Sequence, residues 1–82
     1  LEFRRVLFRS LAIAKEHNNK SEEALLTMNV GLVYLAQKNF TQALDNFKSS
    51  QLLFEQLTDN VGAAKALNNL GELLKTIIYD YL

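Results

Sequence analysis

The chain has 82 residues, 49% of them hydrophobic, and its 9 basic and 9 acidic residues balance to a formal net charge of zero. This length allows one small domain, and the absence of cysteine excludes disulfides and thiolate metal sites. No apolar run approaches the ~20 residues of a membrane-spanning helix. Because proline is also absent, the composition favours an all-helical protein, and the missing cysteines fit a reducing, cytoplasmic setting.

Residues 1–10, LEFRRVLFRS, resemble a common sequencing-library adapter translated in one reading frame. We interpret them as a non-native segment, which has to be excluded from fold reasoning. The alternative is a native basic lead-in that touches a membrane surface or nucleic acid. On the favoured interpretation the native chain begins at Leu11 in the middle of a helix, and residues 11–82 are a fragment of a repeat domain.

The exclusion of residues 1–10 changes the charge of the chain. Without the three arginines and one glutamate of that segment, six lysines and eight acidic residues remain, and the net charge is −2. The lysines are scattered along the chain and form no basic stripe. Since nucleic acid is bound through such stripes, we expect no nucleic-acid partner.

Capping residues divide the rest of the chain into helices. Asn19, Asn39 and Asp59 recur at twenty-residue intervals, and the first two precede Glu22 and Gln42 in the arrangement of a capping box. The sequence therefore predicts helices over about residues 20–37, 40–57 and 60–78. Residues 11–17 are predicted to be the tail of an earlier helix, and residues 80–81 to be the next cap.

Residues 26–34 and 66–74 share one pattern at an offset of forty residues, with Asn29 repeated at Asn69 and Gly31 repeated at Gly71. A fixed period of this size indicates stacked helical repeats, which usually bind other proteins. A glycine inside a helix costs about 1 kcal/mol relative to alanine. We therefore expect a neighbouring helix to approach closely at both glycines.

The repeated segment resembles a named family. The family's pattern of Trp-x-x-Leu-Gly-x-x-Tyr followed by Ala-x-x-x-Phe is similar to the motif formed by Thr27, Val30, Gly31, Tyr34, Ala43 and Phe47. The family is the tetratricopeptide repeat, and the forty-residue period resembles its longer-helix branch. The resemblance implies antiparallel helix–turn–helix repeats stacked as a right-handed α-solenoid, with one full repeat over about residues 20–58 flanked by partial repeats. Thr27 and Leu67 depart from the family by replacing its tryptophan.

In this family the first helix of each repeat lines a concave groove that holds a peptide. The resemblance places eight residues of this chain in that groove: Leu25, Met28, Asn29, Leu32, Lys65, Asn68, Asn69 and Glu72. Asn29 and Asn69 are the favoured pair, because a carboxamide offers both a donor and an acceptor to a peptide backbone. The alternative is that these asparagines bond within the repeat or to water.

The expected function is that of a protein- or peptide-binding scaffold module within a larger protein. One alternative is a regulatory sensor region of a bacterial signalling protein, acting on a fused kinase, cyclase or transcription factor. Another is a ligand-free helical bundle or oligomerisation element, since apolar side chains at the repeat ends favour self-association; these are Ile13, Leu53, Ile77 and Ile78. We expect no enzyme, cofactor, metal site or membrane partner, because His17 is the single histidine and no nucleophile or ligand spacing is present.

Overall fold

The structure is a computed structural model that describes residues 2–81, which form four α-helices joined by three-residue turns. Helix α1 spans Glu2–Glu16, α2 spans Lys20–Ala36, α3 spans Phe40–Gln56 and α4 spans Asn60–Tyr81. These residues contain no strand, which confirms the all-α prediction. Each helix packs against the next along the chain, since turns this short make consecutive helices antiparallel neighbours.

The three turns share one backbone conformation, which recurs every twenty residues. Asn18, Lys38 and Thr58 have φ values of 54°, 60° and 53°, in the left-handed region. In the first turn the N–H of Asn19 donates to the carbonyl of Ala14 at 2.9 Å, and the other two turns contain the equivalent bond. This is the Schellman arrangement, which satisfies carbonyl groups at a helix end. Because every turn has the same geometry, the hairpins stack with a forty-residue period.

The turn residue Thr58 offers a direct test of this backbone assignment. A β-branched residue in the left-handed region is strained, whereas glycine adopts that region freely. Thr58 is exposed and loses only its hydrogen bond to the Leu57 carbonyl when it is replaced. We expect Thr58→Gly to raise the free energy of unfolding by about 1 kcal/mol. The measurement is urea unfolding followed by circular dichroism. The control, Thr76→Gly within α4, should lower stability by about 0.5–1 kcal/mol; an equal loss at both positions would contradict the turn geometry.

Two of the three predicted helix caps are confirmed. The Asn19 Oδ1 accepts from the Glu22 N–H at 3.2 Å, and the Asp59 Oδ1 accepts from the Gly62 N–H at 2.9 Å. The predicted cap at Asn39 is wrong in its detail, because the Asn39 side chain donates to the Gln42 side chain and makes no capping bond to the backbone. Helix α3 nevertheless begins at the expected residue, since the preceding Schellman turn sets the direction of the chain.

Helix α2 is the centre of the core. It has buried residues on several sides, because α1 and α3 both pack against it and α4 touches it as well; these are Ala24, Leu26, Thr27, Met28, Val30, Gly31 and Tyr34. Helix α3 contributes Phe47 and Ser50, both fully buried. The Ser50 Oγ donates to the Phe47 carbonyl at 2.9 Å, so this buried hydroxyl is satisfied.

The two glycines that the sequence repeats have different surroundings. A methyl group on Gly31 would lie 2.6 Å from the Phe47 Cε1, so α3 approaches α2 closely there, as predicted. At Gly71 nothing lies within 4 Å of the equivalent position among the described residues, and the same prediction is wrong for this glycine. Among residues 2–81, no helix follows α4 in the way that α3 follows α2.

Helix α1 begins earlier than predicted. It starts at Glu2 and runs without a break through residues 2–16, with Leu7 and Leu11 buried against α2. The Phe8 and Tyr34 rings meet edge to face, with centroids 6.1 Å apart. An amphipathic segment packs in this way whatever its origin, so the adapter origin of residues 1–10 stays a prediction. Leu1 and Leu82 lie outside the described residues.

Helix α4 ends later than predicted. It continues to Tyr81, so residues 80–81 are helical and do not form a cap. The Asp80 Oδ2 lies 3.4 Å from the Lys38 Nζ and so joins the end of α4 to the turn between α2 and α3. Of the apolar side chains expected at the repeat ends, Ile13 and Ile78 are about half exposed. Leu53 and Ile77 instead pack partly against the core.

Candidate functional site

Helices α2 and α4 begin the two successive repeats, and they contact each other directly while α3 packs against both. This arrangement leaves a groove between α2 and α4, to which Phe54 of α3 and Asp59 of the following turn also contribute. We call it the α2–α4 groove and define it by Ser21, Leu25 and Met28 of α2 together with Val61, Lys65 and Asn68 of α4. The predicted site residues on the two helices are forty residues apart in sequence, so only the repeat geometry brings them together.

The inner part of the α2–α4 groove is a depression of about 190 Å³. Leu25 and Met28 line it from α2, and Val61 and Lys65 line it from α4. Three predicted site residues therefore line the same depression: Leu25, Met28 and Lys65. Leu25 is 44% exposed and Val61 is 68% exposed, so the groove presents apolar surface to a ligand. Met28 is buried, so it contributes little accessible surface to the groove.

A second, more open depression of about 490 Å³ continues along α4. Lys65 lines both depressions, and Asn68 lines the outer one together with Ala64. Within residues 2–81 no carboxylate oxygen lies within ion-pair distance of the Lys65 ammonium group. The groove therefore combines apolar side chains with one cation, Lys65, and one carboxylate, Asp59, which lines the inner depression and accepts from the Gly62 N–H.

The remaining predicted residues lie outside these two depressions. Asn29 and Asn69 are half-buried, and their carboxamides make no hydrogen bond to any residue that the structure describes. Leu32 is 40% exposed on the same helix as Leu25. Glu72 is exposed one turn beyond Asn68, and it pairs with Lys75 at 3.6 Å. These four residues extend the α2 and α4 surfaces away from the groove's centre.

Val61 was missed by the sequence analysis, although a signal for it was present. It lies four residues before Lys65, and residues four apart share one face of a helix. Once the turn before α4 is known, Val61 belongs to the groove as clearly as Lys65 does.

Other kinds of site receive no support from the described part of the chain. Residues 2–81 contain no group of three or more histidine, cysteine or acidic side chains that could hold a metal ion. Within the same range, no helix combines the length and the hydropathy that a membrane crossing requires.

Four antiparallel helices, identical turns and a forty-residue period define a stacked helical-repeat protein. The family model described as tetratricopeptide repeat matches residues 21–77, which is more than half of the chain. The chain belongs to the tetratricopeptide repeat family. Members of this family are in general protein-interaction modules without catalytic activity. Comparison with curated proteins and with solved structures gives no significant match.

Proposed function

We propose that this chain is a protein- or peptide-binding scaffold module whose ligand lies in the α2–α4 groove. The observation that carries the proposal is the combination of exposed Leu25 and Val61 with the unpaired Lys65 in one continuous depression. Such a surface suits an extended or helical peptide with apolar anchors and a nearby carboxylate. The half-buried carboxamides of Asn29 and Asn69 would hold the peptide backbone at the margin of the groove.

We infer a cytoplasmic, non-catalytic module that needs no cofactor and has a protein partner, not a nucleic acid or a membrane. A regulatory role within a signalling protein uses the same groove and remains the first alternative. A ligand-free helical bundle or oligomerisation element is the second alternative. We favour the scaffold because tetratricopeptide repeats are in general protein-interaction modules.

The test is selection from a randomised peptide library displayed on phage, with the whole chain immobilised. Selected peptides are then labelled, and their affinity for the chain is measured by fluorescence anisotropy. We expect Leu25→Asp to weaken binding by at least about tenfold, because it places a charge on the apolar floor of the groove. Lys65→Glu should selectively weaken the peptides that carry a carboxylate.

The matched control is Leu52→Asp. Leu52 is 59% exposed on α3, outside the α2–α4 groove, so this variant changes surface hydropathy without touching the site. It should bind the selected peptides as the unchanged chain does. If no peptide is enriched, or if Leu25→Asp and Leu52→Asp behave alike, the groove is not the binding site.

A further inference from the structure

Among the described residues, Asp59 is the one acidic side chain that lines the inner depression of the α2–α4 groove, and the backbone holds it in place. Its N–H donates to the Phe54 carbonyl at 2.8 Å, and its own carbonyl accepts from the Ala63 N–H at 3.0 Å. Its Oδ1 also accepts from the Gly62 N–H at 2.9 Å. Because Asp59 is already ordered, using it to bind a ligand costs little conformational entropy.

The capping bond uses only one oxygen of the Asp59 carboxylate. Within residues 2–81, the Asp59 Oδ2 accepts no hydrogen bond, and no basic side chain pairs with Asp59. The residue is half-buried, so solvent ions screen its charge less than they screen an exposed carboxylate. The negative charge of Asp59 is therefore left for a ligand in the depression.

Lys65 supplies the opposite charge further along α4. It lies six residues after Asp59, which is about 9 Å along the helix axis at a rise of 1.5 Å per residue. Val61 lies between these two charges in the sequence, and Leu25 lines the same depression from α2. A ligand that lies along α4 therefore meets a carboxylate, then apolar surface, then an ammonium group.

The inner depression is formed by one repeat and the start of the next. Its lining residues lie between positions 21 and 65, within the range that the family model matches. The forty-residue offset pairs α4 residues of the outer depression with α2 residues of the inner one: Val61 with Ser21, Lys65 with Leu25, and Asn68 with Met28. By this correspondence a further repeat helix would pack beside the outer depression, on the other side of α4 from α2.

We propose that the inner depression selects a dipolar peptide segment, in which a basic side chain pairs with Asp59, an acidic one pairs with Lys65, and an apolar one lies between them. This specificity rests on the proposed binding function of the groove and assigns a part of it to Asp59. The charged groups of the ligand are then about 9 Å apart, the length of three residues of an extended chain. A peptide with only acidic residues would bring a like charge to Asp59 and is disfavoured.

The test is a double-mutant cycle between the chain and its ligand. The probes are the phage-selected peptides labelled with fluorescein, and copies in which the basic or the acidic residue is replaced with glutamine. We expect Asp59→Asn to weaken binding of the unchanged peptide by about 5–10-fold. The same variant should change binding by less than about twofold when the basic residue of the peptide is absent. Lys65→Gln should show the equivalent coupling to the acidic residue.

The choice of asparagine separates the charge of Asp59 from its capping role. Asparagine caps a helix as well as aspartate does, so Asp59→Asn keeps the bond to the Gly62 N–H and removes only the charge. Circular dichroism should show an unchanged helix content. The matched control is Asp45→Asn, which makes the same change in charge at an exposed position of α3 outside both depressions. It should leave the affinity unchanged.

The possible failures are distinct from one another. Peptides that require Leu25 but bind Asp59→Asn as tightly as the unchanged chain would overturn the dipolar ligand and leave the groove as the binding site. Weaker binding by Asp59→Ala but not by Asp59→Asn would overturn it too, because the cap alone would then explain the role of Asp59. Enrichment of peptides with acidic residues only would have the same meaning. If no peptide is enriched, the proposed function fails together with the dipolar ligand.

Discussion

Replacing Phe47 with alanine is expected to lower the free energy of unfolding by about 3–5 kcal/mol. The Phe47 side chain is fully buried and contacts Gly31, where α3 meets the central helix. The substitution removes the transfer energy of a phenyl ring and leaves a cavity between two helices that cannot close it. A domain of this size is stabilised by only about 5–10 kcal/mol, so the substitution should remove between about a third and all of that stability.

The measurement is urea unfolding followed by circular dichroism, at a concentration low enough that self-association does not contribute. Phe3→Ala is the matched control, because the same ring is removed from a position that is 64% exposed. We expect the control to change stability by no more than about 0.5 kcal/mol. Equal and small losses in the two variants would mean that α3 does not pack on α2 through Phe47.

The second large effect concerns the two repeated glycines, for which the same substitution should have opposite signs. In Gly31→Ala the added methyl group would lie 2.6 and 2.7 Å from ring carbons of Phe47 and 3.2 Å from the Asn46 Cβ. Since Phe47 is fully buried, its ring cannot move aside without disturbing the core. We expect a net loss of about 1–3 kcal/mol, even after the gain in helix propensity.

In Gly71→Ala the methyl group meets nothing within 4 Å among residues 2–81. Only the helix-propensity gain then remains, and stability should rise by about 0.5–1 kcal/mol. The measurement is thermal unfolding of the two variants and the unchanged chain. It should show a loss of stability in Gly31→Ala and a gain in Gly71→Ala. A loss in both variants would show that α4 has a close neighbour at Gly71 within a single chain, contrary to the structure.

Most of the helix boundaries could be predicted because they depend on local chemistry. Asn19 and Asp59 accept backbone hydrogen bonds from residues three positions later, and that spacing is readable in any sequence. The left-handed turn residues were not predicted, since Lys38 and Thr58 are not residue types that favour that conformation. The repeated tertiary arrangement imposes it on them.

The failures of prediction concern contacts between helices. Gly71 has the same sequence context as Gly31, but no local signal reports whether a covering helix is present. The helical course of residues 2–10 could not be predicted once those residues were set aside as non-native. Helix α4 continues past Ile78, and its Asp80 pairs with Lys38, a contact between residues far apart in sequence that no local pattern predicts.

The sequence predicted which side chains would lie near one another, and their role as a binding site stays a prediction. The repeat pattern identified α2 and α4 as the helices that line a groove, and the structure brings Leu25, Met28 and Lys65 into one depression. The favoured pair, Asn29 and Asn69, lies outside the two depressions, and its role stays a prediction. Sequence spacing places a residue on a helix face, but the depth of the groove depends on how closely α2 and α4 approach.

The central claim is that a peptide binds between α2 and α4, and the most direct measurement is nuclear magnetic resonance mapping on the isotopically labelled chain. A library-selected peptide is titrated into the sample, and the shifts of the backbone amide signals are followed. We predict that the largest changes occur at Leu25, Val61, Lys65 and Asn68, with little change at Leu52 on the outside of α3. Changes centred on α3, or spread evenly over all four helices, would contradict the proposed groove.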